Sequence, residues 1–80
     1  MPTVLRWNGY RFYFFSNEGD EPPHIHIDKA GNTAKFWLNP QRLARNIGFA
    51  AREVAEIEAK VREQHAQFLE AWNEYFRDRS

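Results

Sequence analysis

The sequence predicts an α+β fold: an antiparallel β-meander of about four to five strands, followed by a C-terminal helix or helix pair packed on one face. Three observations predict it. Aromatic residues make up 16% of the chain, and most of them, from Trp7 to Trp37, lie in the first half, where they favour sheet. Ala, Glu, Gln and Arg dominate the second half and favour helix. Turn-forming residues such as Asn8-Gly9, Gly31-Asn32 and Asn39-Pro40 punctuate the first half at the short intervals a meander requires. With 80 residues there is room for one core, so residues 1–80 read as a single domain, with sheet over about 3–47 and helix over about 51–77.

The first two strands flank Asn8-Gly9, because a type I′ hairpin turn needs positive φ at both central residues. Strands over Thr3 to Trp7 and Tyr10 to Phe15 then pair Trp7 with Tyr10, Leu5 with Phe12 and Thr3 with Phe14. That register collects apolar side chains on one face and leaves Val4, Arg6, Arg11 and Tyr13 on the other. The polar, acidic run from Ser16 to Glu21 reads as a surface loop, which Pro22-Pro23 ends in an extended conformation. A third strand spans about His24 to Asp28 and a fourth Thr33 to Leu38, joined by Lys29-Ala30-Gly31-Asn32. Pairing Asp28 with Thr33 sets His26 against Lys35 and His24 against Trp37, with Ile25 and Ile27 meeting Phe36 and Ala34 on the opposite, apolar face.

Asn39-Pro40 breaks the fourth strand, since proline has no donor for the ladder. Residues Gln41 to Ile47 suit either a fifth strand or a short helix with Asn39 as its cap; the strand is preferred. From Ala51 the apolar residues Val54, Ile57, Val61, Phe68, Leu69, Trp72 and Phe76 recur every three or four positions, the stripe of a helix with one buried face. Gln64 to Gln67 dilutes that stripe, which leaves one long helix or two joined by a bend.

The clearest candidate for chemistry is Pro22-Pro23-His24-Ile25-His26-Ile27. Residues i and i+2 of a strand share a face, so both imidazoles are expected on the sheet face that the helices leave open. Two neutral imidazoles are a start towards a divalent metal site, with Asp28, or Asp20 and Glu21, as the third ligand. They are equally the pair needed for general acid-base catalysis near neutral pH. If strand order follows the chain, the same face collects Arg6, Arg11, Tyr13, Lys35 and Trp37, cations for phosphate and aromatics for stacking, which are the parts needed to bind and cleave RNA. The plainer reading is that the solvent face of any half-covered sheet is polar. Arg42, Arg45 and Arg52, with Asn46, add a basic patch that Arg6 and Arg11 extend if the fold brings them together, suited to phosphate or an acidic partner. His65 reads as a boundary residue, and Trp72, Tyr75 and Phe76 as core anchors.

Several classes are excluded or made improbable by composition. Eleven Lys and Arg balance eleven Asp and Glu, so no overall field draws the chain to nucleic acid or membrane. There is no cysteine, hence no disulfide, thiolate zinc site or thiol nucleophile, and a reducing cytoplasmic home is expected. No apolar run resembles a signal peptide or approaches the ~20 residues that cross a membrane. Glycine-rich phosphate loops, dinucleotide fingerprints and Gly-x-Ser-x-Gly elbows are missing. No cofactor is expected, apart from the candidate divalent metal.

The run Gly9-Tyr10-Arg11-Phe12-Tyr13-Phe14-Phe15-Ser16-Asn17-Glu18, followed by Pro23-His24-Ile25-His26-Ile27, resembles a family of short bacterial and archaeal proteins, domain-of-unknown-function family 4160. Met1-Pro2-Thr3, Ala34-Lys35-Phe36 and Phe68-Leu69-x-x-Trp72 extend the resemblance over nearly the whole chain. Members of that family are often encoded beside another small domain of unknown function, in pairs labelled toxin-antitoxin modules. The resemblance therefore implies a small cognate protein from an adjacent gene as partner. It supplies no agreed catalytic residues. Its Pro-His-x-His maps only onto Pro23, His24 and His26, and Glu18-Gly19-Asp20-Glu21 stands where many relatives carry a further histidine or asparagine. The expected function is a toxin-like component acting on RNA, with a non-catalytic protein-interaction module as the alternative and a small metalloprotein as a third. A second copy of the chain is a further candidate partner.

Overall fold

The computed structural model describes residues 3–15 and 19–77. The Met1-Pro2 start and the loop residues Ser16-Asn17-Glu18 lie outside them. Five strands, β1 (Thr3–Trp7), β2 (Tyr10–Tyr13), β3 (His24–Lys29), β4 (Asn32–Leu38) and β5 (Gln41–Ile47), are followed by helices α1 (Ala51–Glu63) and α2 (His65–Phe76). The sheet is antiparallel and follows chain order, β1-β2-β3-β4-β5, as a meander. An α+β architecture is thus established, and residues 41–47 form a strand.

Asn8 and Gly9 both adopt positive φ, 53° and 83°, which closes the first hairpin with Trp7 opposite Tyr10 and Leu5 opposite Phe12. Beyond Leu5 the expected register fails: Thr3 faces Tyr13, not Phe14, because a bulge between Thr3 and Leu5 adds a residue to β1. The β3–β4 register matches the alternation of the sequence at every rung from His24–Trp37 to Asp28–Thr33. A second irregularity, between Lys35 and Phe36 on β4, sets Lys35 opposite Arg45 but Phe36 opposite Leu43, so that Ala44 is the extra residue of β5.

The inner face of the sheet carries Tyr10, Phe12, Phe14, Ile25, Ile27, Ala34, Phe36 and Leu38, all buried. Ile57 and Val61 of α1 and Phe68, Trp72 and Phe76 of α2 close over it. Phe12 stacks on Phe68 at 5.5 Å and Phe14 meets Trp72 edge-on at 5.3 Å, which ties the second strand to the last helix. Each fully buried aromatic contributes about 1.5–3 kcal/mol by removal from water. The helical segment is two helices. Gln64 leaves the helical region (φ −102°, ψ 18°), and a second helix starts at His65, whose Nε2–H donates to the Leu38 carbonyl. Asn46 prepares the entry to α1: its side-chain oxygen accepts from the Phe49 N–H at 3.1 Å and its amide donates to the Phe49 carbonyl at 3.0 Å. The Glu53 carboxylate then accepts the Ala50 N–H at 3.0 Å, half of a capping box. No described helix is long and apolar enough to cross a membrane.

Candidate functional site

Opposed residues of neighbouring strands share a face, so the registers arrange the outer side of the sheet as rows. One row runs His24–Trp37–Arg42, the next Tyr13–His26–Lys35–Arg45, and a third Arg6–Arg11–Asp28–Thr33–Ile47. The expected gathering of Arg11, Tyr13, His26, Lys35 and Trp37 on one face is therefore present. Arg42 and Arg45 join them only because Ala44 is bulged, since residues three apart in a regular strand point to opposite faces. Arg6 shares the outer face, opposite Arg11, but does not extend the Arg42–Arg45 patch. It sits on β1, at the opposite margin of the sheet, roughly 19 Å away at ~4.8 Å per strand. Arg52 lies in the first turn of α1.

The middle of the face is an aromatic cluster. Tyr13 stacks on His26 at 5.5 Å, and Phe15 meets the same imidazole edge-on at 4.6 Å. Arg11 lies over the Tyr13 ring at 4.4 Å, and the Tyr13 hydroxyl donates to Asp28 at 3.1 Å. Burial, reinforced by that carboxylate, raises the Tyr13 pKa above the usual phenol value. Lys35 donates to Glu21 at 2.8 Å and lies 4.5 Å over Trp37, so its charge is already matched. Arg42 and Arg45 are exposed and have no acidic partner among the described residues.

The two histidines do not share an environment. His26 is partly exposed, whereas His24 has 0% of its surface exposed. Both were expected on the open face; for His24 this is corrected. Its position at the very start of β3 lets the Trp72 indole, at 4.8 Å, reach round the end of the strand, while Trp37 at 5.6 Å and His26 at 5.1 Å close the other sides. The His24 Nδ1–H donates to the Pro22 carbonyl at 2.9 Å, with Glu21 3.8 Å from the same nitrogen. A general acid or base must come within hydrogen-bond reach of its substrate, and an imidazole enclosed by two indoles is shielded from one in solvent. The metal trio of His24, His26 and Asp28 is not assembled either. His24 is enclosed by Trp37 and Trp72, and Asp28 is turned to Tyr13. Among the described residues no three His, Asp or Glu side chains gather closely enough to hold a metal.

Two features of this region were not anticipated. A cleft of about 380 Å³ opens beside Trp37, lined by Pro22, Trp37, Asn39, Pro40 and Arg42. Leu43 and Ile47 of β5 are 40% and 53% exposed, although both are large and apolar. An apolar residue in a strand normally signals a covered face, and here neither is covered.

Neither a curated protein nor a solved structure matches this chain. A family profile, described as a domain of unknown function, does match, over residues 9–73, from the hairpin turn through most of α2 and including Pro23-His24-Ile25-His26. The chain belongs to the DUF4160 family.

Proposed function

We propose that the chain is a protein-interaction module, one half of a two-gene pair, which holds its partner through the outer sheet face and the β5 margin. One observation carries this reading. The histidine pair that catalysis would need is split between a buried and a surface environment, whereas Arg42, Leu43, Arg45 and Ile47 stand exposed along a strand that, among the described residues, has no neighbouring strand on one side. The imidazoles then build the aromatic floor of the face and do not move protons. A toxin-like action on RNA is the second reading, favoured by the cleft at Trp37: a base stacks on the indole and Arg42 takes a phosphate. The balanced net charge gives this reading no help from long-range attraction.

Co-expression with the product of the adjacent gene tests the proposal. The expected result is a co-purifying complex that survives His26→Ala, with no RNA cleavage by the purified chain and no growth defect that depends on His26. Cleavage of RNA that is abolished by His26→Ala would overturn it in favour of the second reading.

A further inference from the structure

On the reading that the chain is an interaction module, we infer that β5 takes an extended acidic segment of the partner as a sixth strand, with carboxylates against Arg42 and Arg45 and apolar side chains against Leu43 and Ile47. The edge itself comes first. β5 ends the sheet, is seven residues long, contains no proline, and from Arg42 to Ile47 is exposed throughout. Its outward N–H and C=O groups are a template for another strand.

Natural edges are blunted with charges and bulges, and β5 has both. Here their arrangement is selective. The bulge at Ala44 sets both arginines on the outer face, two ladder steps or roughly 7 Å apart, instead of one on each face. A second copy pairing antiparallel about this strand would bring arginine against arginine, which is repulsive. An acidic strand meets the opposite sign at both positions. A purely protective edge would also have no use for a 40% exposed leucine and a 53% exposed isoleucine, whereas a docking strand does. Lys35, in the same row as Arg45, is already neutralised by Glu21, so the arginines define the demand for charge.

The geometry specifies the ligand. Read antiparallel to β5, the partner needs an apolar residue opposite Ile47, a carboxylate opposite Arg45, an apolar residue on the inner side near Leu43, and a carboxylate opposite Arg42. Carboxylates at i and i+2 around one apolar residue satisfy this spacing.

The test is a titration of the full chain, followed by amide chemical shifts, with a capped Thr-Val-Thr-Glu-Val-Glu-Thr peptide at up to roughly millimolar concentration. Three comparators accompany it: the same peptide with both Glu replaced by Lys, the acidic peptide N-methylated at alternate amides, and a single-stranded RNA oligonucleotide. The expected result is saturable shifts centred on residues 41–47, binding weakened about tenfold or more by the Lys peptide, by N-methylation and by the Arg42→Glu/Arg45→Glu variant. That variant changes only exposed side chains, and an unchanged spectrum elsewhere verifies its fold. No saturable binding of the acidic peptide, equal binding of the Lys or methylated peptide, or shifts confined to the Trp37 cleft would overturn strand addition. So would RNA that displaces the peptide while β5 amides stay unmoved. Mapping the co-purified partner on the same spectrum separates the two levels: a complex that leaves 41–47 unperturbed refutes strand addition while the interaction reading stands.

Discussion

Replacing His24 with Ala separates a core histidine from a surface one, and the structure sets the size of the effect. The ring is fully buried, meets Trp37, Trp72 and His26 at 4.8–5.6 Å, and holds the Pro22 carbonyl at 2.9 Å. Truncating a buried phenylalanine costs about 3–5 kcal/mol, and an imidazole is smaller and less apolar, which lowers the transfer part. The lost hydrogen bond adds about 1 kcal/mol, offset in part because Pro22 is exposed and water can replace the donor. The expected loss is about 2–4 kcal/mol. For 80 residues total stability is on the order of 4–12 kcal/mol, so the variant sits near the edge of folding. At about 4–8 °C per kcal/mol, a loss in the middle of that range lowers Tm by roughly 12–24 °C. His26→Ala, partly exposed, should cost about 1 kcal/mol or less, and His24→Phe should recover most of the loss by refilling the space. Urea unfolding followed by tryptophan fluorescence and far-ultraviolet circular dichroism measures all three. A His24→Ala loss below about 1 kcal/mol, or a His26→Ala loss larger than that of His24→Ala, would refute the assignment of His24 to the core.

Two further predictions concern stability alone. Tyr10, buried and donating to Glu56 at 2.8 Å, has its pKa pushed up to about 12, by burial first and by that carboxylate second. The unfolded tyrosine ionises near 10, so the unfolded state binds fewer protons above that pH; this stabilising contribution is complete below pH 10 and is lost as pH rises towards 12. Wild-type stability measured from pH 9 to 12 should therefore fall more steeply than that of Tyr10→Phe, and parallel curves would contradict the linkage. Gly48 has φ +98°, and an added Cβ would meet the Asn32 side chain at 2.2 Å, whereas Gly31 at φ +84° faces open space. Gly31→Ala should cost about 1 kcal/mol from backbone strain, and Gly48→Ala distinctly more, by thermal unfolding; equal losses would show that Asn32 yields freely.

Much of this molecule is written in short-range patterns. Asn8-Gly9 specifies its own hairpin through positive φ, and strict alternation from His24 to Asp28 and from Thr33 to Trp37 sets five rungs and the faces of ten side chains. The helical stripe from Val54 to Phe76 names its own buried residues in the same way. The turn and the helical stripe depend on neighbours one to four positions away, and the rungs on partners five to thirteen positions away within one hairpin, which is why the sequence by itself determined them. Three matters were decided only by tertiary structure. The bulge at Ala44, which brings Arg42 and Arg45 to one face, depends on how β5 meets β4. Whether Arg6 could join them depends on strand order, which places β1 and β5 at opposite margins. Above all, alternation assigned His24 to the outer side, but whether that side is wet at the start of β3 depends on Trp72, a residue from the far end of the chain that folds back over it. Alternation says which way a side chain points; burial is settled by what else arrives there.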